Sequence, residues 1–256
     1  MILRRITEHV KAQNWTAVAL DFVIVVVGVF IGIQVSNWND GRLEREVERD
    51  TLIRLHADIE ESIAGQQRDI AFLEQQLADQ RVILNSLDVC AVRPDDANSF
   101  QRGIATLGWV NPPRLYRRTI DEIAASGRTD IIRNTEISED LASIVALAEW
   151  RNAAFESTMT MFDAYRRQVE TNVRYDLDRV IENPFVPDHR GGVDYAIQTL
   201  CKDEKVGNAV SAASYLTRER LEAYRPILER YAAFLPLVVR ELEERWRVEP
   251  LRKDGE

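Results

Sequence analysis

Cysteine is nearly absent: Cys90 and Cys201 are the two in 256 residues. So few exclude a small disulfide-stapled scaffold, which crowds its cysteines to compensate for a thin core. Glycine (11) and proline (8) are also sparse, which excludes collagen-like and Gly/Pro low-complexity chains. The three histidines, His9, His56 and His189, lie in separate segments, and no His/Cys spacing suits a metal. No GxSxG, Walker A or GxGxxG pattern occurs. Basic charge is not in excess: 33 Lys+Arg face 42 Asp+Glu, a net charge of -9 and a pI of about 5.1. No nucleic-acid partner is therefore expected, since such partners bind basic surfaces. No catalytic residue, metal or cofactor is predicted. What is present is an apolar fraction of 45%, enough for a folded chain.

The apolar residues are unevenly placed. Thr16 to Val35 reads TAVALDFVIVVVGVFIGIQV, with Asp21 its one charge. As a helix this run spans roughly 30 Å, the thickness of a hydrocarbon core. Trp15 and Trp38 flank it, as interfacial aromatics do. No small-x-small cleavage pair follows, so the run reads as an uncleaved, single-pass anchor over 16–38. Residues 1–15 carry Arg4, Arg5 and Lys11 against Glu8 and sum to +2. Residues 36–50 carry three arginines against five acids and sum to -2. The balance predicts a cytoplasmic basic lead over 1–15 and an extracytoplasmic domain over 41–247, with a disordered tail at 248–256. Within the lead, Ile2, Leu3, Ile6 and Val10 fall at helical spacing, which suits the inner membrane surface or the first turns of the anchor.

The anchor itself carries two features. Gly28, Gly32 and Ser36 form a small-xxx-small row that lets helix backbones approach closely in lipid. Asp21, seven positions before Gly28, falls on the same helix face. An intramembrane carboxylate is costly. It suits either proton handling with a polytopic partner or a topology device near the headgroups.

Beyond Gly41 the pattern is helical. Residues 42–88 place Ile59, Ile63, Ile70, Leu73, Leu77, Leu84 and Leu87 on one stripe, with Gln66 and Gln80 in the seam. Gly41 is a possible break from the anchor. Shorter helices are predicted over 99–108 and 115–125, a long one over 137–181, and a last one over 202–247 with kinks at Pro226 and Pro236. Asp88 to Asn98 and Asn183 to Gly192 read as turn and loop, and no strand is predicted. The expected fold is all-α: one transmembrane helix running on into an antiparallel bundle of four helices, the second short and broken. An up-down-up-down path places Cys90 and Cys201 at one end, where a bridge is possible; two free buried cysteines fit equally.

The stretch from Asn14 to Asp40, followed by LxRLxxDIxxS (Leu52 to Ser62), resembles an uncharacterised family of single-span bacterial membrane proteins. Members share an acidic residue, an apolar run, a Gln and an Asn-Trp-Asn box; Gln34, Asn37, Trp38 and Asn39 match it. TIDEIAASGRTDIIRN (Thr119 to Asn134) is similar to the family's Ser-Gly turn before a long helix. The resemblance implies a bacterial inner-membrane location and says nothing about catalysis.

Other residue groups suggest little chemistry. His56 and Glu60 make at most two metal ligands, Asp95-Asp96 reads as an acidic turn, and Asp188-His189-Arg190 lacks a nucleophile. Tyr116-Arg117-Arg118 and Tyr165-Arg166-Arg167 suit pairing with nearby acids. Ser126-Gly127 reads as a helix stop. The leading expectation is a membrane-anchored interaction protein. It sits in the lipid bilayer as a homo-oligomer or with a polytopic membrane partner, through Asp21, Gly28, Gly32 and Ser36, with Trp15, Gln34, Asn37, Trp38 and Asn39 at the interface. A periplasmic sensory bundle working through a separate partner and an accessory subunit of a proton-coupled complex are the alternatives.

Overall fold

The computed structural model describes residues 15–128 and 130–248. The predicted basic lead, up to residue 14, and the tail from 249 lie outside these. The chain divides into two units, 1–50 and 51–256. Most of it is helical. α1 runs Trp15–Asp88, 74 residues without a break, so Gly41 does not interrupt it. α2 spans Ala97–Ala105 after a single 3₁₀ turn, α3 Arg118–Ser126, α4 Thr135–Glu170, α5 Ile197–Leu200 and α6 Glu204–Trp246. Pro226 and Pro236 both lie inside α6, which continues through them.

The all-α expectation is corrected by a two-stranded antiparallel sheet, β1 (Arg174–Val180) and β2 (Arg190–Asp194). Residues 171–181 were expected to continue the long helix, and 183–192 to be loop. α4 instead stops at Glu170, because Thr171, Asn172 and Val173 are poor helix formers. The Asn172 side chain turns back to donate to the Gln168 carbonyl and to Asp203. Gly192, read as a loop signal, is required by close approach: a Cβ there would collide with the Arg179 side chain down to its own Cβ. The hairpin is strapped to α2. Asn98 exchanges two hydrogen bonds with the Glu182 backbone, and the Val193 N–H donates to Gln101 Oε1 at 2.7 Å.

In the second unit, the direction of the long elements is legible from their cross-links. Asn134 donates to Glu241 at the start of α4 and the end of α6, while Asn172 reaches Asp203 at the other end. α4 and α6 are therefore antiparallel. Gln80 pairs with Thr217 and Glu74 with Arg225, which sets α1 antiparallel to α6 as well. Two apolar clusters fill the space between. One gathers Leu52, Leu55 and Ile59 with Ile144, Tyr231 and Phe234. The other gathers Ile83, Phe100, Leu107, Phe162 and Val210.

Much of the buried face of α1 is polar: Asp58, Ser62, Gln66, Asp69, Gln76 and Asp79 are all buried. Their spacing of three, four or seven keeps them on one side of the helix. The chain opposite them, from Thr106 to Thr119, contains Asn111-Pro112-Pro113 and cannot be a continuous helix. Its backbone groups need partners, and α1 provides them in order. Gln76 Nε2 donates to the carbonyls of Thr106 (2.6 Å) and Trp109 (3.0 Å). The N–H of Arg114 donates to Gln66 Oε1, that of Tyr116 to Ser62 Oγ, and that of Thr119 to Asp58 Oδ2. The Tyr224 hydroxyl of α6 donates to the Asn111 carbonyl. The two ends of the ladder are ion pairs: Arg102 grips Asp79 with two bonds of 2.7 Å, and Arg118 lies 3.4 Å from Asp58.

Asp79 is 2% exposed and Arg102 10% in their side chains, so neither charge has water to fall back on. Asp79→Ala is expected to cost about 3–5 kcal/mol, because it leaves a buried guanidinium unpaired. Combining Asp79→Leu with Arg102→Met should recover most of that loss. Urea unfolding of the detergent-solubilised chain measures both, and an Asp79→Ala protein of unchanged stability would refute the ladder's role.

Candidate functional site

The N-terminal part of α1 is long and apolar enough to cross a membrane: its best window has a mean hydropathy of 2.3, with none of it buried. Leu20, Phe22, Val23 to Val27, Val29 to Ile31, Ile33 and Val35 are all exposed. Asp21, Gly28, Gly32 and Ser36 are exposed on the same helix. A Cβ added at Gly28 or Gly32 would meet nothing within 4 Å, so nothing in the described chain needs these glycines. Trp15 opens the helix, and Gln34, Asn37, Trp38 and Asn39 are exposed further along it.

At the other end of α1, Cys90 and Cys201 are joined, with Cα atoms 5.5 Å apart and a sequence separation of 111. The local geometry explains how the helix stops there. The Cys90 N–H donates to the Leu87 carbonyl and the Ala91 N–H to the Ser86 carbonyl. That is a Schellman ending, in which the residue at Cys90 takes the left-handed conformation; its φ is 52°. Glycine ordinarily fills this position, so a cysteine here carries about 1–2 kcal/mol of backbone cost. Cys201 follows directly on the short helix α5. At the corresponding end of α3, Gly127 does take the left-handed position, with φ 67°.

The candidate polar motifs are largely spoken for. Arg117 pairs with Glu149 at 3.0 Å and Asp121 at 3.3 Å. Arg166 reaches Asp163 (3.5 Å) and Glu170 (3.6 Å), and Asp96 pairs with Arg93 at 2.6 Å. His56 and Glu60 stand 3.6 Å apart on α1. Among the described residues, no group of three metal-ligating side chains occurs.

Among the cavities lined by described residues of the second unit, two lie against α4. The larger, about 550 Å³, lies between α1, the 108–114 segment, α4 and the loop at Phe185. Aromatic contacts frame it: Phe72 meets Phe185 edge-on at 5.4 Å, and Trp109 lies over His189 at 5.2 Å. Its charges are mostly paired internally; Arg114 holds Asp69 at 2.7 Å, and this bond raises the guanidinium's pKa further. The smaller cavity, about 330 Å³, lies between α4 and α6 beside Pro113. Its lining includes Arg151, Tyr215 and Arg220, which the sequence does not single out, and Phe155, which the sequence places on the apolar face of the long helix. Their signal in sequence was slight, since aromatic and arginine residues at helical spacing look like an ordinary amphipathic face.

No family model, no curated protein and no solved structure matches this chain.

Removing the bridge by Cys90→Ser with Cys201→Ser should cost about 2–5 kcal/mol, as expected for a long closed loop. Thermal unfolding with and without reductant reads this; identical curves would contradict it. A pH effect is expected from His189. Burial lowers its pKa below the ordinary 6.5. Its Nδ1 also faces the Asn183 amide nitrogen at 3.0 Å, a bond that suits the neutral ring. The unfolded chain takes up this proton first, so the contribution is complete above pH 6.5 and is lost as pH falls below it. Between pH 7.5 and 5.5, His189→Gln should therefore lose less stability than the natural chain; equal losses would remove His189 from the account.

Proposed function

We propose that this chain is a single-pass membrane protein of the bacterial inner membrane, N-terminus inside, that acts by association rather than catalysis. The observation that carries this reading is the run of exposed, almost wholly apolar side chains from Leu20 to Val35. Such a patch is far larger than a soluble monomer leaves in water, and lipid is the surroundings that suit it. The Cys90–Cys201 bridge supports placing the domain beyond residue 41 in an oxidising compartment, which is the periplasm here. The antiparallel cross-links support reading that domain as a bundle of four elements, with the broken stretch 97–126 as the second.

Association runs through the helix face carrying Asp21, Gly28, Gly32 and Ser36. The open space beside both glycines supports this, since it admits a second helix backbone at close range. The occupant is a second copy or one polytopic protein. Disulfide-free in-membrane crosslinking followed by native mass spectrometry separates the two. Gly32→Ile is expected to reduce the crosslinked species about tenfold or more, by holding the helices apart. Undiminished association in that variant would end the role of this face. A cysteine reactive to a membrane-impermeant reagent, introduced at Glu44, should label from outside the cell; labelling only after lysis would reverse the orientation.

A further inference from the structure

We infer that the cavity between α4 and α6 is a binding site for a small carboxylic acid with an apolar body. The argument begins with Arg220. Its residue is only 8% exposed, and among the described residues no carboxylate ion-pairs with it. Its guanidinium is instead stacked among rings, 4.6 Å from the centre of Phe155, 5.9 Å from Phe162 and 6.0 Å from Tyr224. Ring stacking offsets only part of what it costs to take a cation out of water, and a buried charge is normally paired. Here a cavity opens directly beside the cation, and Arg220 is part of its wall.

A second cation lines the same cavity. Arg151 stacks on Trp150 at 4.5 Å, and its buried Nε has no hydrogen-bond partner. Thr158 and Tyr215 add hydroxyls at the wall, and Glu219 brings one carboxylate. Two guanidinium groups against one carboxylate leave a single positive charge, which a monoanion neutralises. The rest of the wall is apolar, from Pro113, Leu216 and Ala223. At about 330 Å³ the cavity sits at the small end of the range for ligand sites.

The choice of carboxylate over phosphate follows from the donors. Arg151 to Thr158 lie inside α4 and Tyr215 to Tyr224 inside α6, so their backbone N–H groups are committed to the helices. Proline 113 has none to give. A phosphate site draws on free backbone N–H groups at a helix start or nest, and this cavity offers none. A planar fork of guanidinium donors beside aromatic and aliphatic walls matches a carboxylate carried on a ring or short chain.

The test uses the full chain in detergent and four probes: benzoate, hexanoate, inorganic phosphate and neutral benzyl alcohol. Binding is read by saturation-transfer NMR and calorimetry. Benzoate or hexanoate should bind, and Arg220→Met should weaken that binding at least about tenfold, the loss expected for a charge-assisted pair. Glu219→Gln should tighten it about threefold by removing the one like charge. Benzyl alcohol should not depend on Arg220. Should Arg220→Met fail to fold, Arg151→Met and Glu219→Gln together decide: the first must weaken acid binding and the second strengthen it. Absence of acid binding, binding indifferent to these residues, or binding of phosphate alone overturns the inference. If Glu219→Gln instead lowers the melting temperature of the ligand-free chain, Glu219 is the counter-ion of Arg220 and the site is not one. Gly32→Ile should bind benzoate as the natural chain does, so failure of association through the anchor leaves this inference standing.

Discussion

The second unit depends on how α1 treats a stretch of chain that cannot be helical. Two consecutive prolines remove their N–H groups and force an extended path, and that path lies half-buried along α1. A loop normally stays on the surface because its backbone polar groups need water. Here Asp58, Ser62, Gln66 and Gln76 stand in for that water, each meeting a particular backbone N–H or carbonyl. Every such bond contributes only about 1 kcal/mol net, but leaving one unmade costs about 1–3 kcal/mol. The arrangement therefore works less by adding stability than by penalising any other register. A shift of the segment by one residue would leave several buried donors and acceptors unmet at once.

This polar seam also explains what could and could not be read from the residues. The long helices were legible, because Ile59, Leu73, Ile144, Tyr231 and Val238 repeat at helical spacing and all are buried. Gln66 and Gln80 were recognisable as seam positions, and both are fully buried. Asp58, Asp69 and Asp79 were not, since a carboxylate at helical spacing reads as a solvated face until its partner is known. Those partners, Arg102, Arg114 and the backbone near Thr119, lie tens of residues away. The β-hairpin was missed for a related reason. Its strand residues 174–180 alternate charged and apolar side chains in a run too short to outweigh the helix before it, and its glycines resembled a loop. The Arg220 cavity was invisible, because only tertiary packing reveals that an arginine lacks a counter-ion.

The first unit and the second are built on opposite principles. From Leu20 to Val35 the helix surface is exposed and apolar but for Asp21 and Gln34. From Asp58 onward the same helix presents groups that must be matched one by one. A largely apolar surface tolerates rotation and sliding against whatever covers it. A surface of individually matched groups tolerates neither. In the second unit, specificity therefore comes from hydrogen-bond pairing.

The link between Cys90 and Cys201, 111 positions apart in sequence, closes the chain between them into a covalent ring. That ring contains the extended segment, α4 and the hairpin. A protease that cuts once within it, for example at the exposed turn around Gly127, converts a linear chain into a two-piece molecule held by sulfur. The pieces would travel together through any non-reducing separation and part only when a thiol is added. The bridge is therefore a safeguard against scission as well as a clasp: one nick within the ring leaves the two pieces joined.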